Sequence, residues 1–428
     1  METPPSGEDR FHRLDYLKIT ALGFAFGGLA NAMHAIILPI RVQDFAGDAQ
    51  KSTFLGLLTF TGLLVAMLVQ PVAGAVSDRS GFRWGQRKPF ILAGIIAALL
   101  FLAGIGYAWS FLVLFIVWCL TQASLNTAQG PYQAYILDLV PQDKRGRTAG
   151  VKSLLEIAGG VVLLRVAGDL MVNYSLIRPE DAVWLWLSLG VLGLVLLAAL
   201  LFTVLTVREK PGQAGLFLKP FSVIRESFRI NVKADSRFVL FLVSRLLFIM
   251  ALTTLQTFSL YYFQDAAGVP NPARMTADLI TMVGIAMLIV VVPAGRLSDR
   301  IGRKPILVSC GPLAAAGIAL IYLFPFHNLI IFSGVLIGIA AGAFLSTNWA
   351  LAADLVPHEQ AARYLGLTNL ASAGGGALAR LIGPVIDFFN TYGTGLGYSV
   401  MLGACFVYFL VSALLIWRIQ TPGSNGPE

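Results

Sequence analysis

GRLSDRIGRKP (residues 295–305) decides the reading of this chain, because the chain carries the stretch twice. An earlier, longer copy reads SDRSGFRWGQRKP (77–89), and Lys88-Pro89 precedes Lys304-Pro305 by 216 positions. DLVP at 138–141 returns at 354–357 with the same offset. Long apolar runs separate these marks. A membrane chain built of two matching halves implies a carrier that rocks one half against the other around a central site.

Composition supports the membrane reading. Of 428 residues, 57% are hydrophobic and 13% charged, against roughly 45–50% and 25% in a soluble domain. The charges are clustered, which leaves runs long enough to cross about 30 Å of hydrocarbon. Twelve spans are expected, near 17–40, 54–77, 89–109, 111–139, 150–174, 183–207, 238–264, 277–298, 305–325, 328–355, 364–390 and 396–418. Internal Gly and Pro do not argue against helices there, since neighbours can re-satisfy the freed backbone. The fold class is therefore all-α, with twelve transmembrane helices in two pseudo-symmetric six-helix bundles. The expected division is a tail (1–16), an N-terminal bundle (17–207), a basic linker (208–237), a C-terminal bundle (238–418) and a tail (419–428). The polar start has no signal-peptide pattern. The linker reads either as a plain tether or as carrying a short amphipathic helix on the anionic leaflet.

Arg41, Lys51, Arg178 and Arg274 lie in loops after odd-numbered spans, and Arg165, Arg245 and Arg380 lie within spans. Every other Lys or Arg falls in or beside the termini and the loops after even-numbered spans. This bias puts both termini in the cytoplasm of a multi-pass protein of the plasma (inner) membrane. It also accounts for the net charge of +8, so nucleic acid is not an expected partner. The three cysteines, Cys119, Cys310 and Cys405, sit in apolar runs and read as packing residues. The four histidines lack metal spacing, and no phosphate-binding loop is present. An enzyme, a metal and a cofactor are all unexpected, and a monomer is expected.

The second copy of the loop resembles G-x-x-x-D-R-x-G-R-K of the major facilitator superfamily. The first copy, SDRSGFRWGQRKPF, is similar to the loop of glycoside–cation and sucrose–proton symporters. NTAQGPYQAYILDL (126–139) resembles the sucrose-transporter pattern N-x-x-Q-G-P-x-R-A-x-x-x-D-L. That pattern has an acid where Gln122 stands and an Arg where Gln133 stands. Coupling and sugar binding would then fall to other residues. The resemblance implies the facilitator fold, with spans 1, 4, 7 and 10 lining the cavity, and so implicates Asn31, Asn126, Gln256 and Asn348.

The residues make their own case. Asp78 and Asp299 end spans 2 and 8, and can pair with loop cations or face a helix N-terminus. Asp138 and Asp354 end spans 4 and 10 and are expected to anchor Arg79 and Arg300. Arg87, Lys88, Arg303 and Lys304 complete this repeated gating latch, whose plain alternative is a set of surface ion pairs. Gln122, Asn126, Gln129 and Gln133 share one helical face. Amides there suit a polyhydroxylated ligand or hold helices together. Arg165 and Asp169 share a face of span 5, and Arg380 and Asp387 share a face of span 11. A charge at mid-membrane needs water or a partner, so these read as substrate-gripping Arg and proton-carrying Asp, or as static pairs. Arg245 and Gln256 share a face of span 7. Glu156 reads as packing, and Trp349 as a sugar-stacking or anchoring ring.

Together these features predict a secondary transporter working by alternating access. Its solute would be small and polar, sugar or glycoside foremost, with a proton or another cation coupled. The alternatives are an exporter of amphiphilic or anionic organic compounds, and a non-transporting receptor or scaffold on the same fold.

Overall fold

The computed structural model describes residues 11–175, 178–209, 236–355 and 361–419. Nearly all of the expected linker, residues 210–235, lies outside the described residues, as do 1–10 and 420–428 of the expected tails. α1 (Arg13–Ala32) passes through a π-turn (Met33–Ile37) into α2 (Leu38–Gln43). Then come α3 (Lys51–Ser77), α4 (Lys88–Tyr107), α5 (Phe111–Leu139), α6 (Arg145–Met171) and α7 (Ala182–Thr206). The second half holds α8 (Ser236–Tyr261), extended by a π-turn (Tyr262–Ala266), followed by α9 (Pro272–Ile301) and α10 (Arg303–Leu323). It closes with α11 (His327–Leu355), α12 (Ala361–Arg380), α13 (Gly383–Asn390) and α14 (Leu396–Arg418). Counting α1–α2 and α12–α13 as single rods, the described chain has the twelve helical rods of the expected fold class.

Ten of these rods are long and apolar enough to cross a membrane. The two that fall short, α6 and α12, have evident reasons. α6 carries Lys152, Glu156, Arg165 and Asp169, and α12 is Gly-rich and ends at Arg380. Span 11 is therefore a helix, a short break at Leu381 and Ile382, and a second helix, where the sequence predicts one continuous rod. Large apolar side chains such as Leu68, Leu100 and Leu205 stand outward, as lipid-facing residues do.

The chain packs as two compact units. One comprises Met1–Ala30, Val65–Leu163 and Trp186–Leu218; the other comprises Asn31–Leu64, Leu164–Leu185 and Lys219–Glu428. Residues from the first half of the sequence, 31–64 and 164–185, thus pack among the helices of the second half.

Glycines set the close approaches within each unit. In the first, a Cβ on Gly27 would lie 2.0 Å from the Glu156 carbonyl oxygen, and one on Gly159 1.9 Å from that of Phe24. α1 and α6 therefore touch backbone to backbone, as small residues allow in membranes. In the second, Gly375 meets the Leu246 carbonyl in the same way at 2.4 Å, joining α12 to α8. The repeated loop differs in length because its turns differ. Gly302, at φ +92°, reverses the chain between α9 and α10, whereas the longer first copy turns at Gly85, φ +114°.

Gly159→Val should therefore prevent the α1–α6 contact and cost at least about 1–3 kcal/mol. Gly150→Ala, on the same helix with open space around it, should leave stability unchanged. Thermal unfolding of the detergent-purified variants checks both.

Candidate functional site

In the first unit the loop motif closes on Arg87. Arg87 precedes α4, is 5% exposed, and forms ion pairs with Asp78 and Asp138. Its Nε donates to Asp138 Oδ2 at 2.9 Å and its Nη1 to Ser77 Oγ at 2.6 Å. Burial works against the charge, but the bonds and charges of Asp138 and Asp78 outweigh it, so Arg87 is held above the usual arginine range. Asp138, the acid expected to anchor Arg79, holds Arg87. Glu209, just beyond α7, accepts from the backbone N–H groups of Arg87 (2.9 Å) and Lys88 (3.1 Å). It also accepts from the Tyr135 hydroxyl at 2.6 Å. The α4 N-terminus thus receives a carboxylate from the end of α7.

The second copy of the motif is plainer. Asp299 accepts from Arg303 one turn on, at 3.2 Å. Arg300 is exposed and Lys304 half-buried. The side chain of Asp354 lies outside the described residues.

The α5 amides divide into two pairs. Asn126 is buried, and its Nδ2 donates to the Gln122 carbonyl (2.8 Å) and to Gln122 Oε1 (3.3 Å). That pair is turned onto its own helix. Gln129 is half-buried and Gln133 exposed, so these two present their amides off the helix.

In the second unit, Arg165 and Asp169 belong to a four-charge lattice. Arg165 Nε donates to Asp169 Oδ2 at 3.0 Å, and its Nη1 pairs with Asp278. Arg274 approaches Asp169 at 3.7 Å. Arg274–Asp278 on α9 thus repeats the four-residue spacing of Arg165–Asp169 on α6. A Cβ on Gly168 would sit 2.5 Å from that of Ala277, which is how the helices come close enough. Asp278 is the more buried acid, 14% exposed against 47% for Asp169.

Arg380 and Asp387 do not pair. The break at 381–382 turns α13 away, and Asp387 accepts from the backbone N–H groups of Thr53 (2.6 Å) and Ser52 (3.3 Å) at the start of α3. Beside it, Lys51 bonds Asp265 at 2.9 Å, and Tyr398 donates its hydroxyl to the same carboxylate at 2.5 Å. Arg41, Asp44 and Tyr174 form a further triad, in which Tyr174 donates to Asp44 at 2.8 Å. Burial outweighs the bonds from Tyr174 and Arg41 and the Arg41 charge, and holds Asp44 above the usual carboxylate range.

Two candidate pairs do meet. Gln256 Nε2 donates to Asn31 Oδ1 at 2.6 Å. Arg245, 3% exposed, bonds Asn348 and donates to Ser372 at 2.7 Å. Its guanidinium lies 4.7 Å from the ring centre of Trp349. That ring, read as either a sugar-stacking or an anchoring group, is a cation–π partner.

Sequence reasoning missed Glu209, Lys51, Asp265 and Asp278. Asp278 had a signal, the Arg-x-x-x-Asp spacing shared with Arg165. The contacts of Glu209 and Asp265 gave none, because their partners are side chains 74 or more positions away or are backbone groups.

Helical rods repeated in two halves, with ionic clusters at the helix ends, define a membrane carrier. The model of the Major Facilitator Superfamily matches residues 20–379 and 271–428, and the chain belongs to that superfamily. It is an integral multi-pass membrane protein, a secondary transporter and not an enzyme. A multidrug resistance protein MdtG of Enterobacter lignolyticus (strain SCF1) is 26% identical over 419 residues, covering 94% of this chain and 89% of that protein. The protein of the same name from Salmonella newport (strain SL254) is 26% identical over 299 residues, covering 68% and 69%. Among solved structures, the D-xylose–proton symporter superposes with a TM-score of 0.72 at 16% identity, covering 95% of this chain and 97% of that one. The nucleoside transporter NupG gives 0.71 at 13% identity, covering 96% and 100%. At such identities these structures show the fold alone.

Asp278→Asn should leave Arg165 with only the more exposed Asp169 and lower stability by about 1.5–3 kcal/mol, the range for bonds to charged groups. Asp169→Asn should cost no more than about 1 kcal/mol, as exposed pairs do. Thermal melts of the two variants test the order; equal losses would mean both acids are solvated alike.

Proposed function

We propose that this transporter exports amphiphilic organic compounds by alternating access, with the sequence halves 17–207 and 238–418 moving as the two bodies. The observation that carries this reading is the match to a protein named for multidrug resistance over 94% of the chain. The site agrees with it. Gln122 and Asn126 bond within their own helix, and the acid and Arg of the sugar-transporter pattern are missing at Gln122 and Gln133. A sugar-symport reading keeps Gln129 and Gln133 as its support.

With both termini in the cytoplasm, as the distribution of Lys and Arg favours, residues 41–53, 165–174, 261–278 and 387–398 lie at the outer end. The four-charge lattice, the Lys51–Asp265–Tyr398 cluster and the Asp387 cap then act as the outer clasp. Arg87 with Asp78, Asp138 and Glu209 belongs to the cytoplasmic latch. Asp387 is the residue best placed to couple protons: protonating it weakens the cap on α3 and frees the outer end. Arg165 and Asp169 serve the same clasp.

Nile red, a neutral amphiphile, should be pumped into energised everted vesicles, while sucrose should not accumulate in proteoliposomes under a pH gradient. Sucrose accumulation without dye movement would reverse the choice. Asp387→Asn should keep exchange of substrate across the membrane but lose accumulation driven by a pH gradient. Full gradient-driven accumulation by that variant would remove Asp387 from coupling.

A further inference from the structure

Buried cations in this chain come in two kinds. Arg41, Lys51 and Arg87 each have a carboxylate in ion-pair contact. Arg245 and Arg380 have none among the described residues. Arg245 is satisfied otherwise, by Ser372, Asn348 and the Trp349 ring. Arg380 is not. Its side chain is 8% exposed, its Nη1 donates to the Gly376 carbonyl one turn back, and its Nε has no partner. A guanidinium is permanently charged, and burying one without a counter-charge is costly in a membrane.

The surroundings leave room for what is missing. In the run Gly374-Gly375-Gly376, the middle residue is needed for helix contact, with the Leu246 carbonyl 2.4 Å from its would-be Cβ. Its neighbours are not. A Cβ on Gly374 would meet only Leu246 Cδ1 at 3.9 Å. One on Gly376 would meet Arg380 Nη1 at 3.5 Å, Leu63 Cδ2 at 3.8 Å and Thr253 Oγ1 at 3.9 Å, all ordinary contact distances. The flank of Gly376 therefore admits a methyl-sized group, bounded by a guanidinium, a hydroxyl and an apolar group. Gln256 lies one turn beyond Thr253 on the same face of α8.

We propose that Arg380, with Thr253 and the open flank of Gly376, is a subsite for the anionic group of an amphiphilic organic substrate: a carboxylate, sulfonate or phosphonate on an apolar body. The fork of Arg380 supplies charge-assisted donors to two anion oxygens. Thr253 supplies a neutral donor, and Leu63 contacts the apolar part. The proposal deepens the export reading by naming the charge of the cargo.

Calorimetric titration of the full chain in detergent, with naphthalene-2-sulfonate and the neutral naphthalene-2-sulfonamide, tests it. The wild type should bind the anion at least about tenfold more tightly. Arg380→Gln should bring the two affinities together, while Arg380→Lys keeps part of the preference because the charge remains. Gly376→Val, which fills the flank, should weaken the sulfonate. Equal binding of the two probes by the wild type would overturn the subsite without any variant, and so would a preference that survives Arg380→Gln. If Arg380→Gln does not fold, the wild-type comparison and Arg380→Lys still decide. Nile red export is measured apart from binding. Export without anion preference sinks the subsite alone, and anion preference without export sinks the export reading alone.

Discussion

The carboxylate of Asp387 sits on the first amides of α3, and much of the second unit follows from that contact. A helix start leaves N–H groups unserved, and hydrocarbon offers nothing to serve them. Asp387 accepts from Ser52 and Thr53 and meets the positive end of the helix dipole. To reach there, span 11 must break after Arg380 and restart at Gly383. A side chain at Gly383 would collide with the Ser52 carbonyl, its Cβ only 2.2 Å away, and one at Gly56 would collide with that of Arg380 at 2.4 Å. One acid and two glycines thus stitch α3 to α12 and α13, and residues 31–64 accordingly pack with the second half of the sequence.

The first unit solves the same problem with different parts. Glu209 caps α4 as Asp387 caps α3, in each case a carboxylate from an element distant in the chain. Arg87 then binds two acids, so charge stays locally matched where dielectric screening is weak. In the second copy of the loop motif, Asp299 meets Arg303 one turn on and Ser298 donates to the Gly295 carbonyl.

The class of fold was legible because it rests on length, apolarity and repetition, each a property of local sequence. The twelve rods, the loop motifs and the Arg165–Asp169 pair followed from these. What was not legible depends on backbone. Gly383-Pro384 is the mark of the break in span 11, and read without it Arg380 and Asp387 looked like partners on one face. Gln122 and Asn126 looked available to a ligand because spacing gives a face and not a rotamer. Asp265 and Glu209 escaped notice because the groups they bind lie at least 74 positions away. The four-residue spacing of Arg274–Asp278, matching Arg165–Asp169, could also have been read in advance.

The π-turn at Met33–Ile37 has a bearing on every wheel drawn through the first rod. Such a turn holds one more residue than an α-turn, and each residue advances the helix by about 100°. The face that Gly23 and Gly27 offer to α6 is thus out of phase with the face that continues beyond residue 37. The rod passes from one compact unit to the other between Ala30 and Asn31, just before this slip. A single helix can in this way serve two different sets of neighbours with two differently aimed stripes. A second π-turn, Tyr262–Ala266, ends α8, where it re-aims Asp265 toward Lys51 and Tyr398. Phase, as much as residue identity, is what the two rods encode.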